Sequence, residues 1–203
     1  DAAWSIVYLP DVQNYNSSDG NFVREVGQMN WILNNKAAFN IKAVIQGGDL
    51  VNQNQSDTQW QRAKDAFHML DGQVPYILAA GNHDFGTTNF QNRNTQYNNY
   101  FKITDNPLNN PATGGIIKGT FEPNKLENSY STFTGPDGRK MLIFNLEFYP
   151  RQAVLDWADS IAGQPQYADY TAMLLTHAFI GSGNTRWNAG ANEFPVECND
   201  GVD

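Results

Sequence analysis

Val74-Pro75-Tyr76-Ile77-Leu78-Ala79-Ala80-Gly81-Asn82-His83-Asp84 decides the reading of this chain. The apolar run 74–80 reads as a buried strand. It stops on a glycine followed by an amide, an imidazole and a carboxylate. Polar groups at the end of a buried strand point out of the sheet edge, where ligands collect in open α/β sheets. The same punctuation recurs along the chain. Residues 6–9 run into Asp11-Val12-Gln13, residues 41–45 into Gly48-Asp49-Leu50-Val51-Asn52, and residues 171–175 into Thr176-His177. Four such ends on one edge would gather Asp11, Asp49, Asn82, His83 and His177, a set rich in hard oxygen and imidazole donors.

The segments between those runs set the fold class. Residues 4–9 read as a strand and 10–20 as a polar loop. Phe22, Val26, Met29, Ile32 and Leu33 recur at helical spacing, which predicts an amphipathic helix over 22–36. A strand over 41–46 ends at Gly47-Gly48. Ser56 or Asp57 can cap the next helix, which carries Trp60, Ala63, Phe67 and Leu70 on one face. With 74–80 this makes a β-α-β-α-β alternation, so an α/β domain with a substantially parallel sheet. Residues 85–128 are rich in Asn, Gly and Thr and predict a short helix over 89–101 plus a surface loop above the site. Phe90, Tyr97, Tyr100 and Phe101 read as packing for that helix. Strands over 129–133 and 140–147 flank the turn Gly135-Pro136-Asp137-Gly138. Pro150 opens a helix through Ala153, Leu155, Trp157 and Ile161, and 171–175 is the last strand.

The bulk composition narrows the partners. At 203 residues with 40% hydrophobic and 13% aromatic content, the chain can form one domain, 1–203, around a sizeable core. A net charge of −8 offers no nucleic-acid-binding patch. No apolar run is long enough for a membrane segment. The single cysteine, Cys198, excludes an internal disulfide framework and reads as a free thiol. The chain starts at Asp1 without Met, so upstream processing is expected. With charged residues at only 17%, this points to a secreted or periplasmic bacterial protein.

Each polar strand end has its own chemistry. Asp49 follows two glycines, which let the backbone turn sharply and let an ion approach. A carboxylate there can bridge two metals. Asp11 alone fits an ordinary turn. Asn82 is a neutral oxygen ligand, His83 points to the same crevice, and Asp84 can hold that imidazole in one tautomer. His177 gains a ligand role from the company of the others. His68, between Phe67 and Met69, reads as structural.

The order Asp, Gly-Asp-x-x-Asn, Gly-Asn-His-Asp, Thr-His resembles the calcineurin-like metallophosphoesterase family over residues 5–180. Leu146-Glu147-Phe148-Tyr149-Pro150-Arg151 and Leu155-Asp156-Trp157-Ala158 also resemble a bacterial branch of it. The resemblance implies a four-layer α-β-β-α sandwich of two mixed sheets that holds two divalent ions (Mn, Fe, Zn, Mg or Ca). Asp49 would bridge the ions, Asp11 would bind the first, and Asn82 and His177 the second. A bridging hydroxide would attack a small phosphoester substrate, and His83 would protonate the leaving alkoxide. Phosphoryl transfer needs mainly positioning and charge neutralisation, which this donor set supplies.

Two departures qualify the resemblance. The family's first motif is usually Asp-x-His, and here Gln13 stands in the second position. An amide oxygen is harder than an imidazole, so the first site is expected to be weaker and to prefer Mn, Mg or Ca over Zn. The family also ends its site with Gly-His-x-His, which this sequence lacks, so the chain is expected to stop before the last helix and strand. A rival reading follows: a metallophosphoesterase-like binding module, catalytically weakened, for a glycan or protein partner.

Overall fold

The computed structural model describes residues 3–87 and 92–178. Cys198 and Phe90 lie outside the described residues. Strands β1 (Ser5–Leu9), β2 (Ile41–Gln46) and β3 (Tyr76–Leu78) form a first sheet in the order β1-β2-β3, all parallel. Helices α2 (Asp19–Asn35) and α3 (Asp57–Phe67) make the two crossovers, and α1 (Gln13–Asn16) precedes them. Strands β4 (Ile117–Thr120), β5 (Ser129–Thr134), β6 (Lys140–Asn145) and β7 (Thr171–Leu175) form a second sheet in that order. Its first two pairings are antiparallel and the last is parallel, with α5 (Gln152–Ala162) as the crossover. Thus the second sheet is mixed as expected, whereas the described strands of the first run one way.

Side-chain alternation explains the layering. In β3, Tyr76 and Leu78 join the cluster under α2 and α3, while Ile77 packs the opposite way. In β6, Met141 and Ile143 face the first sheet, and Leu142 and Phe144 face α5. The three clusters are therefore the three seams of an α-β-β-α stack. Central strands that are buried on both faces read as continuous apolar runs, which is why they were legible in the sequence.

Two expectations needed correction. Residues 10–20 are not all loop, because α1 sits there with Gln13 and Asn16 turned inward. Residues 85–128 contain β4, the edge of the second sheet, and the described helical turn is only α4 (Tyr97–Tyr100). A short strand holding a glycine, Ile117-Lys118-Gly119-Thr120, gives little periodic signal. Tyr97 and Phe101 pack inward, as expected. They are 1% and 2% exposed, with Tyr97 5.5 Å from Phe101 and 6.2 Å from Trp60 between ring centroids. The Tyr97 hydroxyl donates to the Leu78 carbonyl at 2.9 Å, which satisfies its buried polar end.

Candidate metal centre

The first sheet is parallel, so β1, β2 and β3 deliver their C-terminal ends to the same rim. Gln46, the last residue of β2, ties two of those ends together. Its side chain donates to the Pro10 and Gly48 carbonyls and accepts the Gly48 N–H at 2.9 Å. Gln46 is fully buried. The sequence reading missed this clamp because a glutamine that ends an apolar strand looks like its boundary. From there the backbone turns through Gly48 at φ 108° and Asp49 at φ 55°. A left-handed φ at a non-glycine residue is strained and persists only where its surroundings impose it.

Asp49 is 2% exposed and lies at the centre of the group. Its Oδ1 accepts the His83 backbone N–H at 2.9 Å, and its Oδ2 lies 3.5 Å from His177 Nε2. A Cβ at Gly81 would fall 2.1 Å from Asp49 Oδ1, and one at Gly48 would fall 2.6 Å from His177 Nδ1. Both positions therefore require glycine. His177 follows β7, so it crosses from the second sheet to meet donors on the first. Its Nδ1 lies 2.9 Å from the Gly47 carbonyl and 3.7 Å from Asp11 Oδ1, and its Nε2 is 3.0 Å from Asn82 Oδ1. Asp11, Asp49 and His177 each offer a ligand atom within 4.8 Å of the others.

The donor set fits a cation. Both ring nitrogens of His177 face oxygen acceptors, yet a neutral imidazole has one N–H. With that proton at Nδ1, the Nε2 lone pair faces the oxygens Asn82 Oδ1 and Asp49 Oδ2. A positive ion resolves that repulsion. Gln13 Oε1 is also buried with no hydrogen-bond partner, an amide oxygen left with acceptor capacity. Asp11 is half-exposed and borders solvent, whereas Asp49, Asn82 and His83 are buried.

Asp84 does not take the role expected of it. The His83 Nδ1 lies 2.9 Å from the Asn52 backbone carbonyl. Asp84, fully buried, accepts the backbone N–H groups of Gly81, Leu50 and Val51 at 2.8–3.0 Å. It is the tie between the β2 and β3 ends, so it holds Asp49 and Asn82 in register. Burial pushes its carboxyl up to about 7, the Asp49 carboxylate adds to this, and the three N–H donors oppose it. Sequence spacing suggested a histidine–aspartate pair, but a 3-10 turn over Asn82–Asp84 sends the two side chains different ways.

The loop after β6 supports His177 from behind. Buried Glu147 accepts both Arg151 Nε and Nη2, at 2.7 and 3.0 Å, and the Asn128 amide at 3.0 Å. Arg93 donates to the Phe148 and Tyr149 carbonyls. The Phe148 ring is 5.8 Å from the His177 ring. His68, as expected, stands apart: Asp71 and Asp105 flank its ring at 3.3 and 3.4 Å.

The calcineurin-like phosphoesterase pattern matches residues 8–200. YvnB, an uncharacterized protein of Bacillus subtilis strain 168, is 34% identical over 84 residues, 41% of this chain and 6% of that protein. The purple acid phosphatase PPD1 of yellow lupin (Lupinus luteus) has a similar structure, with a TM-score of 0.50 and 12% identity. That likeness covers 94% of this chain and 32% of the lupin chain. The chain thus spans less than a third of the length of either protein. It belongs to the calcineurin-like phosphoesterase family.

Proposed function

We propose that this chain carries a two-cation phosphoester hydrolase site, built on Asp11, Gln13, Asp49, Asn82 and His177, with His83 as general acid. The observation that carries the reading is the convergence of acceptor atoms from Asp49, Asn82 and His177 at 3.0–3.5 Å. Divalent cations bound there would supply Lewis acidity toward the phosphate oxygens and a water of lowered pKa.

The chain's own residues define the proton path. A backbone carbonyl only accepts, so His83 Nδ1 keeps its proton against Asn52. Proton exchange therefore falls to Nε2, and a leaving alkoxide would draw its proton from there. Asp49 fixes the His83 backbone through its N–H. The Asp84 tie keeps the loops after β2 and β3 from drifting apart, which matters because effective positioning is most of the catalysis in phosphoryl transfer. The low charged content and single cysteine support a secreted or periplasmic setting.

The test uses metal-depleted protein, supplied in turn with Mn, Mg, Ca and Zn, on an aryl phosphate and a bis-aryl phosphodiester. Turnover with Mn, Mg or Ca exceeding that with Zn, and lost in His83→Ala, supports the site. Equal background rates in both proteins would overturn catalysis and favour the binding-module reading. Zinc held tightly at both sites, with Gln13→Ala without effect, would overturn the role of Gln13.

A further inference from the structure

Beside His83 a cleft of about 470 Å³ opens, lined by residues 52–56 and Thr87. We propose that it receives the leaving group, and that this group is a neutral polyhydroxy alcohol, so that the substrate is a sugar or polyol phosphate ester. The inference rests on the phosphoester reading above and names the substrate that site would take.

The volume lies in the range of small-ligand pockets. Its position places whatever occupies it beside the His83 side chain, the proposed proton donor. The lining is Asn52, Gln53, Asn54, Gln55, Ser56, His83 and Thr87, every side chain but His83 an uncharged amide or hydroxyl. Among the described lining residues there is no lysine, arginine or carboxylate to receive a second ionised group, and His83 is the only ring. Among the described residues a nucleotide would therefore find neither a stacking platform nor a cation in this cleft. Hydroxyl groups would find amides on several sides.

The wall is held from behind, which frees part of its front. Gln59 Oε1 accepts the backbone N–H groups of Asn52 and Gln53 at 2.9 and 3.0 Å. Trp60 Nε1 and Gln96 Nε2 both donate to the Asn54 carbonyl. The Asn54 side chain is consumed by Gly86, Asn94 and Gln96. By contrast, the side-chain amides of Asn52 and Gln53 make no hydrogen bond to a described residue, and Ser56 Oγ is used only as an acceptor. A rigid backbone that presents uncommitted amides is preorganised for a polar ligand, because little is lost in ordering it.

The test compares kcat/KM for glucose 6-phosphate, glycerol 3-phosphate, phenyl phosphate and adenosine 5′-phosphate. The proteins are wild type, Gln53→Leu and Asn52→Leu, all with Mn. The polyol esters are expected to lead, and each variant to narrow the lead by about tenfold, the scale of one hydrogen bond. Phenyl phosphate or the nucleotide turned over as well as the polyol esters would overturn the inference and leave the phosphoesterase reading standing. No turnover of any ester would overturn that reading. Side-chain amide signals of Asn52 and Gln53 then decide the cleft separately. They should shift with glucose 6-phosphate and not with phenyl phosphate, and equal response or none would overturn the inference.

Discussion

Asn82 Oδ1 and His177 Nε2 lie 3.0 Å apart, although 95 residues separate them and they follow strands of different sheets. Since His177 Nδ1 meets the Gly47 carbonyl at 2.9 Å, the pair is relieved by a cation or by an imidazolium. Divalent cation should therefore raise thermal stability. At a hundredfold excess over Kd the gain is about 2.7 kcal/mol, read as an upward shift in Tm. His177→Ala should abolish the shift, and a variant that still shifts as much would show that the cation binds elsewhere.

Gly81 and Gly27 should respond oppositely to alanine. A Cβ at Gly81 meets the Asp49 backbone N at 2.4 Å, which no side-chain rotation relieves. Gly81→Ala should cost about 2 kcal/mol or more and weaken cation binding. Gly27 lies within α2 with nothing within 4 Å of its Cβ position. Gly27→Ala should stabilise by about 0.5–1 kcal/mol. Chemical denaturation of both variants measures the contrast.

Asp84→Asn should act on stability as well as on rate. It sets an NH2 against backbone donors that now share two carboxylate oxygens. At least one buried N–H loses its partner, at a cost of about 1–3 kcal/mol. If Asp84 instead served only to orient His83, the denaturation midpoint would stay put while the pH–rate profile moved.

Glu25 gives the fold a pH dependence outside the site. It is fully buried, and burial lifts its pKa from 4.5 to about 9, with the neighbouring Asn16 side chain opposing the rise. The raised folded value means that the unfolded chain loses this proton first. Between about pH 4.5 and about pH 9 the folded state holds more protons, so stability falls as pH rises. The slope from this one group is about 1.4 kcal/mol per pH unit. Glu25→Gln should flatten it, as urea midpoints at about pH 6 and about pH 8 would reveal. Parallel slopes in both proteins would show that Glu25 is ionised in the fold.

Much of this was legible before any coordinates, for a physical reason. The strands β2, β3 and β6 are buried on both faces, so they hold the apolar runs 43–45, 76–78 and 141–144, and the polar residues that follow are conspicuous. The helices α2, α3 and α5 announce themselves by 3.6-residue spacing. What stayed hidden was either short or non-local. α1 and β4 have four residues each, too few for a period to register. The role of Asp84 depended on backbone N–H groups 33 and 34 residues away. The Asn52 carbonyl, which holds His83, carries no side-chain signature at all.

The amino-acid sequence by itself determined which donors exist and where the strands end, because burial and periodicity are written in local residue order. Only the tertiary structure decided which donors meet. His177 joins Asp49 and Asn82 because two separate sheets stack along Ile45, Ile77, Ile143 and Leu175. The glycines at 48 and 81 then let three chain segments approach more closely than any Cβ would allow. Such contacts are set by long-range packing, and spacing along the chain does not encode it.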